Sequence, residues 1–253
     1  MTEATFHGAL VWAMFALAAV TFAILLRLKA PYGRHYSGSG WGPDIPNRVG
    51  WIVMELPAPA LFAVVYFMGE SAGAPLPLIF LGLWQFHYLH RTFVHPLRTR
   101  TAGKRMPVVV AASAFTFNVT NAYVNARWVS EIGTYDLGWL GDPRFLAGVL
   151  VFVVGFAINN HSDNILLGLR KPGDTGYSIP HGGVFRYVSC PNYFGELLEW
   201  AGWALATWSL AGLAFFVYTA ANLVPRALNH HEWYRARFED YPDDRKAVIP
   251  GLL

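Results

Sequence analysis

The chain has 253 residues, of which 54% are hydrophobic and only 14% charged, against about 25% charged in ordinary soluble domains. That balance excludes a disordered chain, a coiled coil and a nucleic-acid-binding domain, and argues against a soluble enzyme. The net charge of +3 comes from 19 Lys and Arg against 16 Asp and Glu, and the single cysteine excludes an internal disulfide or a CxxC metal site.

Gly8 to Leu26 is a charge-free apolar run, long enough to cross a hydrocarbon core about 30 Å thick. No Lys or Arg precedes it, while Arg27 and Lys29 follow, the reverse of a signal peptide's flanks. It predicts a membrane helix with its N-terminus outside. Further spans are predicted at 49–68, 76–95, 107–126, 145–167, 193–207 and 210–229. The last two form one apolar stretch broken near Ser209 to Gly212, and its length fits two helices joined by a very short turn. With seven spans, Arg127 and Arg144 are the only cations on one side, and 17 of the 19 fall on the other. The positive-inside rule makes that side cytoplasmic. The expected fold is therefore all-α: a single membrane-embedded domain over 1–253, seven transmembrane helices, N-terminus outside and C-terminus cytoplasmic. Short loops suit a bacterial inner membrane, although an endoplasmic-reticulum protein would look the same. There is no internal repeat, Walker motif, HExxH or GxSxG. Gly38, Gly40 and Gly42 lack the strand-turn-helix context of a dinucleotide fingerprint.

Ionisable groups inside membrane spans are costly and mark functional sites. Glu55 stands in the second span, and the following Pro57 and Pro59 remove backbone donors and predict a kink that opens space beside it. The third span ends His87-Tyr88-Leu89-His90-Arg91, where His87, His90 and Arg91 share a face by i, i+3, i+4 spacing. Imidazole pairs can ligate heme or a metal, but no carboxylate or cysteine completes a set nearby, and no metal is expected. Three polar stripes follow at the cytoplasmic helix ends: Asn159, Asp163 and Arg170; Asn192, Glu196 and Glu199; Arg226, His230 and Tyr234. One such residue alone is ordinary helix–helix hydrogen bonding. Together the stripes predict a polar pocket in which Arg and His suit phosphate and the amides and acids suit a ribose or an amide. Trp51, one turn from Glu55, is a candidate for packing on a ligand.

These residues carry a resemblance. Lys171-Pro172-Gly173, Tyr177, Ile179-Pro180, Gly182-Gly183, Asn192-Tyr193-Phe194-Gly195-Glu196 and Glu199-Trp200 resemble the signature of the steroid 5α-reductase family. So do the tail residues His230-His231, Tyr234, Phe238 to Pro242, Arg245-Lys246-Ala247 and Ile249-Pro250. Upstream, Glu55-Leu56-Pro57, His87-Tyr88 with His90 to Phe93, and His161-Ser162-Asp163 match as well. The resemblance implies NADPH and reduction of a Δ4-3-oxosteroid at its C4–C5 double bond, with Glu55 and Tyr88 meeting the 3-keto oxygen. It further implies that Asn159, Asp163, Arg170, Tyr177, Asn192, Glu196, Arg226, His230 and Tyr234 hold the cofactor. Tyr32 and Arg91 extend that set toward the nicotinamide and phosphate regions. Members closest to the animal enzymes carry Gln before the Glu where this chain has Met54, a departure that bears on substrate orientation and range.

The implied chemistry suits the residue types. Hydride adds to C5 of an enone when the carbonyl is polarised, and a Tyr hydroxyl with a protonated carboxyl would stabilise the developing enolate. Burial in an apolar bundle favours the neutral, donating carboxyl. The expected partners are a steroid or related lipid enone and the bilayer, with no nucleic acid, and the expected state is a monomer. Three alternatives stay open: a reductase of another sterol or lipid enone, a membrane methyltransferase using S-adenosylmethionine, and a non-enzymatic transporter or heme protein. The methyltransferase would need neither Glu55 nor Tyr88. Replacing Arg170 with Ala is expected to weaken NADPH binding more than steroid binding; titrations showing equal losses would remove Arg170 from the cofactor set.

Overall fold

The computed structural model describes residues 1–29, 41–99, 103–169 and 176–253. Tyr32 and Arg170 lie outside the described residues. The chain is mostly helical: α1 Glu3–Leu25, α2 Asn47–Glu55, α3 Pro57–Tyr66, α4 Pro75–Leu89, α5 His95–Arg98, α6 Val108–Arg127, α7 Pro143–Gly168, α8 Pro191–Thr207 and α9 Leu210–Arg237. Four helical segments, Glu3–Leu25, Asn47–Tyr66, Pro143–Gly168 and Leu210–Arg237, are long and apolar enough to cross a membrane. Helices stand at each of the other predicted spans too. However, α4 and α8 have only 15 and 17 residues, and α6 carries Asn118, Asn121 and Asn125 in its length.

Among the described residues a short strand pair departs from an all-α expectation. Asp44–Pro46 (β1) and Arg105–Pro107 (β2) form a small antiparallel pair, with Ile45 opposite Met106. Each strand runs into a helix through a proline, which pushes the preceding residue to extended backbone. Pairing across 61 positions leaves no local trace, so sequence periodicity does not reveal it.

The helix breaks follow from local chemistry. Pro57 and Pro59 lack the N–H groups that would bond the carbonyls of Val53 and Glu55, so α2 ends at Glu55 and α3 begins at Pro57. Pro96 interrupts the run after α4 in the same way. The His95 N–H reaches back to the His90 carbonyl, and His90–Val94 form a π-helical turn, a local bulge common at functional sites. The break near Ser209 is a full turn between two helices. Trp208 adopts a left-handed conformation at φ 45°, and the Ser209 hydroxyl accepts the Gly212 N–H at 2.8 Å to start α9.

α1 buries one stripe, Val11, Met14 and Ala18, and leaves Trp12, Leu17, Val20 and Ile24 exposed, as a lipid-facing helix does. Its N-terminal end is tied to α6: Arg127 donates to both Glu3 oxygens at 2.6 and 2.8 Å, and His7 Nε2 meets the Val124 carbonyl at 2.9 Å. At the start of α7, Asp142 caps the Arg144 N–H, and hydrogen bonds from the Arg144 side chain hold its carboxyl down at about 2.

The tightest contact joins α7 to α8. Gly148 and Gly155 on α7 lie against the backbones of Gly202 and Gly195 on α8, in antiparallel register. Small residues are the general means of bringing membrane helices into backbone contact. A Cβ at Gly155 would run into the Glu199 N–H and the Gly195 carbonyl, so the ladder has no room for one. Gly155→Ala is expected to destabilise the protein by about 1–3 kcal/mol through overpacking, seen as a lowered thermal midpoint in detergent. Gly82→Ala, where a Cβ would meet nothing within 4 Å, is the control that keeps the midpoint.

Candidate active site

Residues of α1, α2, α4, α6, α8 and α9 line a cavity of about 440 Å³, a volume suited to a small-molecule ligand. Its walls differ in character. Ile24 and Leu25 from α1, Val110 and Phe117 from α6, and Phe215 from α9 make an apolar side. Phe117 is stacked on Tyr218 with ring centroids 3.7 Å apart, which flattens that wall. Glu55, Tyr88, Arg91, Asn118, Glu196 and Arg226 make the polar side.

The break at Leu56 puts Glu55 at the end of α2, where it meets α6 and the π-turn. Asn118 donates to the Met54 carbonyl at 2.8 Å and to Glu55 Oε2 at 3.2 Å. Arg91 Nε stands 3.8 Å from Glu55 Oε1, and its Nη2 stands 3.7 Å from Glu196 Oε2. One guanidinium thus faces two carboxylates. The Arg91 head also lies 4.6 Å over the Trp51 ring, and the Trp51 Nε1–H donates to the Arg91 carbonyl at 3.1 Å. Trp51 therefore holds the π-turn as well as lining the cavity.

Tyr88 is buried among Trp84 and Trp200, with centroids 4.8 and 5.5 Å away. Its side chain lines the cavity, and its hydroxyl makes no hydrogen bond to another described residue. It is available to a ligand. His87, also on the cavity wall, pairs through Nδ1 with Glu199 Oε1 at 2.7 Å.

The other expected site residues form two further groups. Asn159 Nδ2 donates to the Asn192 carbonyl at 2.9 Å, Asn192 Nδ2 donates to Asp163 Oδ1 at 3.1 Å, and His95 Nδ1 stands 3.3 Å from Asp163 Oδ2. Arg226, on the cavity wall, donates to the Tyr193 hydroxyl at 2.8 Å, which in turn lies 3.3 Å from His230 Nε2. Tyr234 lies apart, stacked on Tyr241 at 5.3 Å, and Tyr177 meets the edge of Trp233 at 4.9 Å. Trp51, Met54, Glu55, Tyr88, Arg91, Glu196 and Arg226 thus share one cavity, while Asn159, Asp163, Tyr177, Asn192, His230 and Tyr234 lie off its wall.

Sequence reasoning passed over Asn118, His95 and the pairing of His87 with Glu199. A search for ionisable groups in spans misses Asn118 because an amide carries no charge; its place within an apolar run was the available signal. The His87–Glu199 pairing joins residues 112 positions apart and has no local signature. Among the described residues no group of three or more His, Cys, Asp or Glu is placed to hold a metal ion.

The chain is similar to known proteins along its length. A family model described as 3-oxo-5-alpha-steroid 4-dehydrogenase matches residues 104–253. Steroid 5-alpha-reductase DET2 of Arabidopsis thaliana is 48% identical over 236 residues, 90% of this chain and 90% of its own. The 3-oxo-5-alpha-steroid 4-dehydrogenase 1 of Bos taurus is 44% identical over 260 residues, 100% of this chain and 99% of its own. That of Homo sapiens is 43% identical over 257 residues, 100% and 98%.

Arg91→Leu would leave two carboxylates on the cavity wall without their shared cation. The expected loss is about 2 kcal/mol, smaller than for a close and fully buried pair, with Arg91→Lys losing less. Denaturation of the two variants in one detergent checks the order.

Proposed function

The chain belongs to the steroid 5α-reductase family, oxidoreductases acting on CH–CH bonds, and we propose that it reduces the C4–C5 double bond of Δ4-3-oxosteroids with NADPH. Testosterone and progesterone are representative substrates, and the 5α-3-oxosteroid is the product. The observation that supports this reading most directly is the placement of Glu55 and Tyr88 on one cavity that apolar side chains also line. Flat apolar rings fit the wall of Phe117, Phe215 and Val110, while the 3-keto oxygen meets the polar side.

Tyr88 offers its hydroxyl to that oxygen. Glu55 offers a second donor when protonated, and the local charge balance favours this. Arg91 compensates one of the two carboxylates beside it; with both ionised, the site would hold an uncompensated negative charge away from water, which is expensive. Asn118 holds the Glu55 carboxyl by a hydrogen bond to Oε2. Preorganised donors of this kind stabilise the enolate oxygen as charge develops on it, without reorganisation at the moment of reaction. Met54 stands beside this pair, on the cavity wall. Because Met offers no hydrogen-bond donor, the carbonyl is oriented by Glu55 and Tyr88 alone.

The donor set fits NADPH. Arg91 and Arg226 present guanidinium groups, which suit phosphate oxygens. Glu196, Asp163, Asn159 and Asn192 suit hydroxyl and carboxamide groups, and Tyr177, His230, Tyr234, Tyr32 and Arg170 join them by family position. When bound, the cofactor supplies the hydride for C5; the protein supplies position and electrostatics. The same reading takes the chain as one multi-pass domain of seven membrane helices, N-terminus outside and C-terminus cytoplasmic, working as a monomer. On this reading the polar residues of the cavity lie toward the cytoplasm, where NADPH is available.

Glu55→Gln and Tyr88→Phe are each expected to lower turnover of a Δ4-3-oxosteroid at least about a hundredfold, the scale of losing one oxyanion donor. Loss of NADPH absorbance, with the product identified by mass, measures it. Near-normal rates in both variants would overturn the assignment.

A further inference from the structure

Polarising the carbonyl leaves half of the reduction undone. With the reductase reading as premise, hydride addition at C5 moves the double-bond electrons into a C3–C4 enolate, and C4 must then take a proton. C4 is bonded to the carbonyl carbon, so its donor must line the cavity beside Glu55 and Tyr88. Those two are engaged at the oxygen. Arg91 and Arg226 do not release protons. Glu196 faces Arg91 at 3.7 Å, and Tyr218 is stacked on Phe117 in the apolar wall. Lys29 also lines the cavity, beyond the end of α1, but no contact joins it to Tyr88 among the described residues. His87 remains, the chain neighbour of Tyr88, on the same wall and with its ring 4.8 Å from that of Tyr88.

His87 has an unusual partner. Its Nδ1 is 2.7 Å from Glu199 Oε1. Glu199 is 0% exposed, and its Oε2 has no hydrogen-bond partner among the described residues. A buried carboxylate with one bare oxygen is costly, which favours keeping a proton within the pair. Because Nδ1 is committed to Glu199, Nε2 is the nitrogen left for the cavity. The geometry points to His87 as the acid that protonates C4, with Glu199 behind it as the positioning residue that stores the proton.

The step balances. The enolate electron pair forms the C4–H bond as the Nε2–H bond breaks. Nδ1 keeps or takes up the proton shared with Glu199. The pair ends as neutral His87, with Nδ1–H donating to the Glu199 carboxylate. Water entering after product release returns one proton through Nε2. The carbonyl reforms as Glu55 and Tyr88 relax to their original hydrogen bonds.

The test is reduction of progesterone with NADPH in D₂O by the full chain in detergent, with deuterium at C4 located by NMR and undeuterated product as the exchange control. The wild type is expected to place deuterium on one face of C4. His87→Gln and Glu199→Gln are expected to turn over at least about tenfold more slowly, with both faces labelled and KM values for steroid and NADPH held within about twofold. Glu199→Asp, which keeps the carboxyl, is expected to recover part of the rate and the single face. Variants with wild-type rate and a single labelled face would overturn the relay and leave the reductase reading standing. A wild type that labels both faces would overturn the relay by itself, whether or not the variants fold. A wild type that oxidises no NADPH would overturn both.

Discussion

One guanidinium in an apolar bundle, Arg91, faces two carboxylates, and much of the site follows from that imbalance. Buried charge is tolerated only when paired, so Glu55 and Glu196 are drawn to the same group from different helices. The π-turn makes this possible. Arg91 stands at the start of this turn, where α4 hands over to the bulge ahead of Pro96. Trp51 then seals the turn from one side, by its ring over the guanidinium and its N–H on the Arg91 carbonyl. A feature expensive in stability is held in place by several partners, as strained or charged sites usually are.

The glycine ladder between α7 and α8 is the complementary device. Backbone contact at Gly155 and Gly195 leaves no space for side chains there, so the polar residues one turn further along must meet directly. Asn159 then reaches the Asn192 carbonyl and Asn192 reaches Asp163. Close packing in the apolar layer and polar contact at the helix ends are therefore one arrangement. The same approach buries Glu199 on α8 beneath α4, where His87 is the partner it finds.

Much of the fold was legible because its causes are local. Prolines at 57 and 59 foretold the break beside Glu55, and Ser209 marked the start of α9. The β1–β2 pair was not legible, because three-residue strands 61 positions apart leave no period to read. Within the site, Glu55 announced itself as an ionisable group in an apolar run, Tyr88 came from the family resemblance, and Arg91 and the stripes at the ends of α7, α8 and α9 were read by spacing. Spacing predicted one pocket from all of them. The tertiary structure instead divides them, with Arg226 on the cavity wall, Asn159 and Asp163 in a neighbouring network, and Tyr234 stacked in the C-terminal cluster.

The sequence alone determined an apolar, helical chain, and it named the family and a set of candidate polar residues. These are one-dimensional properties: hydropathy, helical period and ordered motifs. Only the tertiary structure decided which of those residues meet. It gave Arg91 two carboxylates, bonded Asn118 to Glu55 and joined His87 to Glu199 across 112 positions. Such pairings depend on how closely helices approach and how each is rotated, and neither is written in the spacing of residues along a single helix.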